Sequence, residues 1–391
     1  MAAPPLPAVA ATVHRKGKRK RSESGAALIE IVPEWRSQSH LNPTPWYTRD
    51  LSSVGDLGKR LHMEICDFYD YVRPQRFEND MRLDLVHRVQ GMLNTRYTHF
   101  KGIEVKHFGS FAAGLYLPDA DMDLVVMSQS YKNGGHASLR TSRKELQQFG
   151  GALRNSGLAV PNSVVIIPSA KVPIVKYVDA KTGLKVDVSF ENDTGVIANG
   201  TYAEWIDQYP ALPLIIALVK QFLLMRGLNE VHTGGLGGFS TSCLVVSILQ
   251  LMPPLHASGS RKADNLDTIF MNFLNTYGFK FNTTMCGIQL SPPRIFNKAS
   301  SGFRVNPNRP WGLCIVDPNR PDNDISGGSS LVLEIFKEFA NAFLLLNDRM
   351  DEIYLGSNIR GSILAPLFAG DYSAYEKQRT RLRHLAMGGK W

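Results

Sequence analysis

The sequence predicts an α+β chain: a small mixed sheet with helices on one face, followed by a mostly helical unit. Three observations predict it. The segments 103–108, 124–127, 164–167, 174–177 and 185–190 are short, rich in Val, Ile and Phe, and bounded by turn residues or a helical stretch. Beyond Asn199 the apolar residues fall into longer runs at 210–225, 241–252, 266–277 and 330–347, which read as helices. The 391 residues, 43% of them hydrophobic, suffice to bury a core in two or three domains.

Taken in order, residues 1–44 are rich in Pro, Ala, Ser, Arg and Lys without sustained periodicity. They are expected to form a disordered basic tail, with only 29–32 able to dock, so that structure begins near Trp46. Leu57, Leu61, Ile65 and Phe68 recur at helical spacing over 57–71, and Pro74 ends that helix. Met81, Leu85, Val89 and Met92 mark a second helix over 79–96. Between the strands, 131–140 reads as a loop and 146–156 as a helix. In the helical part, 212–224 is apolar nearly all round, the mark of a buried helix. The Gly-, Pro- and Asn-rich stretches 233–238, 291–310 and 317–328 read as loops. The expected division is a tail over 1–44, an N-terminal helix region over 45–75, an α+β domain over 76–200, a helical domain over 201–365 and a basic C-terminal tail over 366–391.

The formal net charge of +9 suits a polyanionic partner, but part of it is local. Arg15, Lys16, Lys18, Arg19, Lys20 and Arg21 form a basic run that reads as a nuclear localisation signal in preference to a nucleic-acid arm or a solvated tail. Lys377, Arg379, Arg381 and Arg383 give the C-terminal segment its charge; it can continue as a basic helix, and it serves either RNA or simply solvent. The apolar start is broken by Pro4, Pro5 and Pro7 with no basic region ahead of it, unlike a signal peptide. No apolar run approaches the ~18 residues of a membrane span. Cys66, Cys243, Cys286 and Cys314 are scattered without metal-ligand spacing, which fits a reduced intracellular compartment.

Chemistry concentrates in FGSFAAGLYLPDADMDLVV, residues 108–126. Asp121 and Asp123 are two apart, so on a strand both carboxylates share one face while Met122 and Leu124 take the other. Two carboxylates that close repel unless a cation lies between them, and hard oxygen ligands suit Mg²⁺ or Mn²⁺. An Asp-x-Asp alone is as often a loop cap or a solvent-facing pair. Upstream, however, Gly109 lets the backbone approach an anion and Ser110 adds a hydroxyl donor. In KVDVSF, strict alternation puts Val186, Val188 and Phe190 on the core face and Asp187 with Ser189 on the other. A third carboxylate completes a set for two divalent ions ~3.5–4 Å apart, the arrangement that serves in-line phosphoryl displacement.

These residues resemble the DNA polymerase β-like nucleotidyltransferase superfamily. Together with VKQFLLMRGLNEVHTGGLGGFS and DPNRPDNDIS, they resemble more narrowly the Trf/Cid-type poly(A) RNA polymerases of the TRAMP complex, over roughly residues 45–364. The resemblance implies a polymerase β-like catalytic domain and a helical central (PAP-associated) domain with the nucleotide in a cleft between them. It places the first helix beside the central domain. It implies that Asp121, Asp123 and Asp187 bind two Mg²⁺ or Mn²⁺ ions, and that Gly109 and Ser110 contact the triphosphate of ATP. It further implies that Lys220 neutralises the outer phosphates, Phe239 stacks on the base, and Asn323 and Asp324 read the base edge. Each has a plainer reading. Lys220 can snorkel, Phe239 can be core, and Asn323 and Asp324 can serve turn formation alone.

The implied activity is template-independent addition of AMP from ATP to RNA 3′ ends, tagging nuclear RNAs for exosome processing. The implied partners are a zinc-knuckle RNA-binding protein and an RNA helicase, in the nucleus or nucleolus. The sequence itself holds no recognisable RNA-binding module. It also reads Ser326-Gly-Gly-Ser-Ser330 where many relatives have a shorter Gly-Arg-Ser-Ser. Terminal uridylyltransfer is the alternative within the same chemistry, although relatives that add uridine often carry a histidine near the position of Asn323. An inactive RNA-binding scaffold is disfavoured by the complete carboxylate set. A small-molecule nucleotidyltransferase is disfavoured by the basic tail and the second domain.

Overall fold

The computed structural model describes residues 28–388 except 98–101, 140, 171, 253–264 and 304–305. The basic run at 15–21 lies outside the described residues.

Helix α1 (Leu57–Val72) starts where the Asp56 carboxylate accepts the Lys59 backbone N–H. Helix α2 (Arg76–Arg96) starts three residues earlier than its apolar pattern suggests. Gln75 and Glu78 form a capping box, and the Glu78 carboxylate accepts the Gln75 N–H at 2.7 Å. Strand β1 (Glu104–Phe108) runs into the one-turn helix α3 (Gly109–Ala112), and β2 (Met122–Met127) follows. Helix α4 (Gln129–Lys132) occupies the start of the expected 131–140 loop. Helix α5 (Arg143–Asn155) again begins early because Ser142 and Glu145 cap it reciprocally. Strands β3 (Val165–Ile167), β4 (Ile174–Val178) and β5 (Lys185–Phe190) complete a sheet of order β1-β2-β5-β4-β3. Only the β2–β5 pair is parallel. Its core contains Leu85, Val89, Leu124, Phe149 and Val188.

Helix α6 (Thr194–Gln208) was not expected. Gly195, Gly200, Thr194 and Asn199 are poor helix formers, and burial of Tyr202 and Trp205 against the next unit makes up for them. There follow α7 (Leu212–Leu224), a 3₁₀ turn at Val231–Thr233, α8 (Gly238–Leu251) and α9 (Leu266–Asn275), which runs on into a π-helical turn. Two stretches read as loops are corrected to hairpins. Strands β6 (Cys286–Leu290) and β7 (Pro293–Asn297) form one; β8 (Val316–Asp317) and β9 (Arg320–Asp324) form the other. Proline content hid them, since Pro293 and Pro321 sit in two-stranded ribbons where a missing N–H is tolerated. Helix α10 (Val332–Tyr354), the short α11 (Ala365–Phe368) and α12 (Ser373–Ala386) end the described chain.

Both ends of the chain correct the expected tails. From Leu28 onward the N-terminal segment is ordered: Val32 N–H donates to Met225 O, Ile29 N–H to Glu338 Oε2, and Trp35 is buried against Tyr372 and Tyr375. At the other end α12 is a packed helix, not a basic tail. Tyr375 and Leu382 are fully buried, and Arg379 pairs with buried Glu78 at 3.3 Å. The apolar spacing of Tyr375, Leu382 and Leu385 was masked by the arginines between them. Helix α1 packs on α7 and α9, with Leu61, Ile65 and Phe68 in the core of the helical unit. No helix among the described residues is long and apolar enough to cross a membrane.

Candidate active site

The parallel β2–β5 pairing decides the site. Asp123 is the register partner of Asp187, and Asp187 is the partner of Lys176 on β4. The three side chains therefore form one row across three strands, on the face opposite buried Met122, Leu124, Val186 and Val188. Asp121 lies two residues before Asp123 and joins the row from the end of the turn that precedes β2. The sequence reading of Ser189 needs one change: it is buried and donates to Leu124 O, so it braces the sheet.

The row is electrostatically strained. Burial, then the charges of Asp187 and Asp121, push the Asp123 carboxyl up to about 7, against the pull of Lys220 and Lys176. Burial also raises Asp121, with Lys185 opposing and Asp187 and Glu230 reinforcing. Lys176 donates to Asp187 Oδ2 at 2.6 Å. Burial works to lower the lysine's pKa, but that hydrogen bond and charge raise it on balance. Carboxylates that resist sharing their charge, on one face of a sheet, fit divalent cations as a donor set. Among the described residues no three acidic, His or Cys side chains are drawn together closely enough to cage a metal ion, and Lys176 holds one oxygen of Asp187.

Gly109 has a positive φ of 69°, and a Cβ there would come within 2.5 Å of Asp123 Oδ2. Only glycine lets this turn run beside the carboxylate. Ser110 is the second residue of α3, and its carbonyl accepts the Leu115 N–H. From the helical unit, Lys220 on α7 points back to the same place. Its ammonium donates to Leu115 O at 2.9 Å and lies close to where a Gly238 Cβ would stand. Burial lowers its pKa to about 8, while Asp123 works the other way. A buried ammonium with one carbonyl partner and a carboxylate nearby has capacity for an anion. Snorkelling is excluded, because the ammonium points inward to Leu115.

Phe239, in the first turn of α8, lies against Trp205 (6.0 Å, 18° between planes) and edge-on to Tyr202. Ser240 donates to Ile325 O, tying this helix start to the β8–β9 hairpin, and Thr201 on α6 donates to Asn319. The hairpin residues differ in freedom. Asn323 spends its amide N–H on Asp317 Oδ2 and keeps its carbonyl. Asp324 commits Oδ1 to the N–H groups of Ile315 and Ser326 and to the Ser326 hydroxyl. Asp324 is thus a loop brace at that oxygen, as turn chemistry alone would have it.

Several site groups escaped the sequence. Lys176, Lys185 and Asp119 cluster electrostatically with Asp121, and Glu230 of the helical unit faces it. Asn199 donates to His107 O, beside Phe108 and Gly109, and its own carbonyl oxygen is buried without a partner. Strand register could have found Lys176, and the two-residue spacing could have found Lys185 before Asp187 and Asp119 before Asp121; nothing local could have found Glu230 or Asn199. A cavity of about 320 Å³ lined by Arg294, Phe296, Phe303, Pro318 and Pro321 contains none of the three carboxylates, of which Asp123 feels the charge of Lys220 from the helical unit.

Residues 61–201 match the family profile described as poly(A) RNA polymerase, mitochondrial-like, central palm domain. Residues 265–323 match that of the Cid1 family poly A polymerase. The chain is 34% identical to poly(A) RNA polymerase protein 2 of Saccharomyces cerevisiae, over 82% of its own length and 54% of that protein. The solved polymerase core of TRAMP, an RNA surveillance complex, superposes with a TM-score of 0.70 at 34% identity, over 82% of this chain and 98% of that one. The chain belongs to the TRAMP-type poly(A) RNA polymerase family. It spans about half the length of the first curated relatives it matches. One member, the inactive non-canonical poly(A) RNA polymerase protein Trf4-2 of Drosophila melanogaster, is also 34% identical, over 78% of this chain and 72% of that protein. Membership alone therefore does not imply activity; the side chains of the site must.

Proposed function

We propose that this protein is a polynucleotide adenylyltransferase that extends RNA 3′ ends with AMP from ATP and releases pyrophosphate. The observation that carries the reading is the row Asp123–Asp187–Lys176, with Asp121 at its end and Lys220 reaching it from the other unit. Asp121, Asp123 and Asp187 would hold two divalent ions, Mg²⁺ or Mn²⁺. When bound, these supply charge neutralisation at the phosphates and acidify the attacking hydroxyl.

The chain's own residues divide the remaining work. Ser110 and Lys220 hold the triphosphate, the ammonium facing charge that builds on the leaving pyrophosphate. Asp187, between Asp123 and Lys176 in the row, would accept the proton of the RNA 3′ hydroxyl as its oxygen bonds to the α-phosphorus and the bond to the β-phosphate breaks. Lys176, held on Asp187, keeps that carboxylate oriented before substrates arrive. Phe239 offers a face for the base, and the Asn323 amide suits an adenine edge better than a histidine would. Asp324 keeps the hairpin in place for it.

Family membership supports RNA as acceptor and tagging in RNA surveillance as the setting. A zinc-knuckle protein and a helicase would supply RNA grip and delivery to the exosome, and the run from Arg15 to Arg21 would direct the chain to the nucleus. The test is extension of end-labelled RNA by purified protein with each nucleotide separately, alone and with a zinc-knuckle partner. A ladder with ATP that Asp121→Ala loses is the expected result. A ladder with UTP would move the activity to uridylylation, and RNA binding without any ladder would make the chain a scaffold like its inactive relative.

A further inference from the structure

We infer that Arg82 is a positioning residue for the carboxylate row, fixing from beneath the turn that delivers Asp121. The inference rests on the catalytic reading above. Arg82 lies on α2, fully buried, and its Nη2 donates to Ala120 O at 2.9 Å and to Pro118 O at 3.4 Å. These carbonyls belong to the turn immediately before Asp121 and Asp123. The guanidinium lies 4.2 Å from the ring centroid of Tyr116, which fixes its plane, and the Tyr116 hydroxyl donates to Asn79 on the same helix at 2.6 Å.

Stability alone is a poor account of this residue. Its Nε and Nη1 are buried without hydrogen-bond partners, and an apolar side chain would avoid that loss. What an apolar side chain could not do is hold two carbonyls of one turn while placing positive charge under Asp119 and Asp121, both of which interact with it. Repelling carboxylates move apart unless their backbone is held. Arg82 holds it, and Glu78, one turn away on α2 and itself clasped by Arg379, anchors the other end of the buried face.

The test compares full-length wild type, Arg82→Lys and a control, Arg88→Lys. Arg88 lies on the same helix but bonds Asp84 and Asp179. Two quantities are read: Mn²⁺ binding without substrate, by loss of the free-ion EPR signal, and kcat with KM for ATP at saturating metal. Lysine keeps the charge, but its ammonium ends about one bond short of the Nη2 that meets both carbonyls, and it has no plane to lie on the Tyr116 ring. Mn²⁺ half-saturation should rise about 10-fold and kcat fall about 10–100-fold, with KM for ATP within about twofold. Arg88→Lys should move only the melting temperature.

Unchanged Mn²⁺ binding and kcat in Arg82→Lys would overturn the inference, while a wild-type ladder with ATP would leave the catalytic reading standing. If wild type shows no ladder, that reading fails and the Mn²⁺ comparison still decides the role of Arg82. Should Arg82→Lys not fold, Tyr116→Leu, which removes the ring beneath the guanidinium, should shift Mn²⁺ half-saturation in the same direction by about 3-fold. No shift there would equally overturn it.

Discussion

Single atoms decide whether the carboxylate row works. Replacing Asp187 by Asn keeps shape and the strand but removes one charge from the row. RNA extension should fall at least about 100-fold with an unchanged melting curve, since the proposed metal ligand and proton acceptor is lost and no packing is. Gly109→Ala should cost as much by a different route. Its Cβ would meet Asp123 Oδ2 at 2.5 Å in a backbone with positive φ, so both the turn and the carboxylate must shift. Circular dichroism beside single-nucleotide incorporation would separate this from unfolding. Asp123 also sets a pH dependence. Its carboxyl is raised from 3.8 to about 7, so the metal-free fold favours the protonated form. That contribution is complete below about 4 and is lost as pH rises through about 7. In EDTA the melting temperature should therefore drop between pH 5 and 8, and Mg²⁺ should restore it at the upper end. Asp123→Asn should flatten the EDTA profile. A wild-type profile in EDTA that is already flat would contradict the strained row.

At the scale of elements, α12 is the strap that joins the two units. Tyr375 donates to Gln221 on α7, Tyr71 on α1 donates to Glu376, and Gln378 and Arg381 donate to carbonyls at 180–182 in the β4–β5 turn. Arg379 is the central tie: it bonds Glu78 and the carbonyls of Tyr71 and Arg73, where α1 gives way to α2. Arg379→Ala leaves the Glu78 carboxylate buried and short of a charge partner, a loss of about 3–5 kcal/mol. Urea unfolding should show it as a lower midpoint with activity retained in the folded fraction. A loss under about 1 kcal/mol would return α12 to the status of a tail. The five strands and the longer helices α2 and α5 of the sheet unit were legible because their periods are local, while the one-turn helices α3 and α4 were not. The caps at Gln75 and Ser142, which moved two helix starts, were legible only as residue types. Helix α6 and the two hairpins ran against local propensity, and burial or cross-strand pairing outweighed it.

The whole molecule presents a cleft between two cores, one around the sheet and one around α7 and α8. Lys220 crosses it, and the hairpin carrying Asn323 is tied to α6 and α8 at its edge. On the proposed function, charge is the means of gripping RNA outside this cleft, and more than half of the formal net charge of +9 comes from the run from Arg15 to Arg21. Deleting residues 1–27 should leave kcat for ATP within about twofold while weakening RNA affinity, and should make the salt slope shallower by about 2–4. An unchanged slope would confine that run to a targeting role.

What the sequence by itself determined is the chemistry on offer: Gly109 and Ser110, three aspartates in strand phase, and a lysine in an apolar helix. Those signals depend on spacing within a few residues, which local backbone geometry translates directly into shared faces. Only the tertiary structure decided which groups meet. The parallel pairing set Asp123 against Asp187 and, through β4, Lys176 beside them. Chain folding brought Arg82 under the turn before Asp121 and Arg379 onto Glu78, some 300 residues distant. It also turned Asp324 inward as a brace. Most such contacts join residues far apart in the chain, and no local period records them, because they exist only once the sheet has paired and its helices have packed on it.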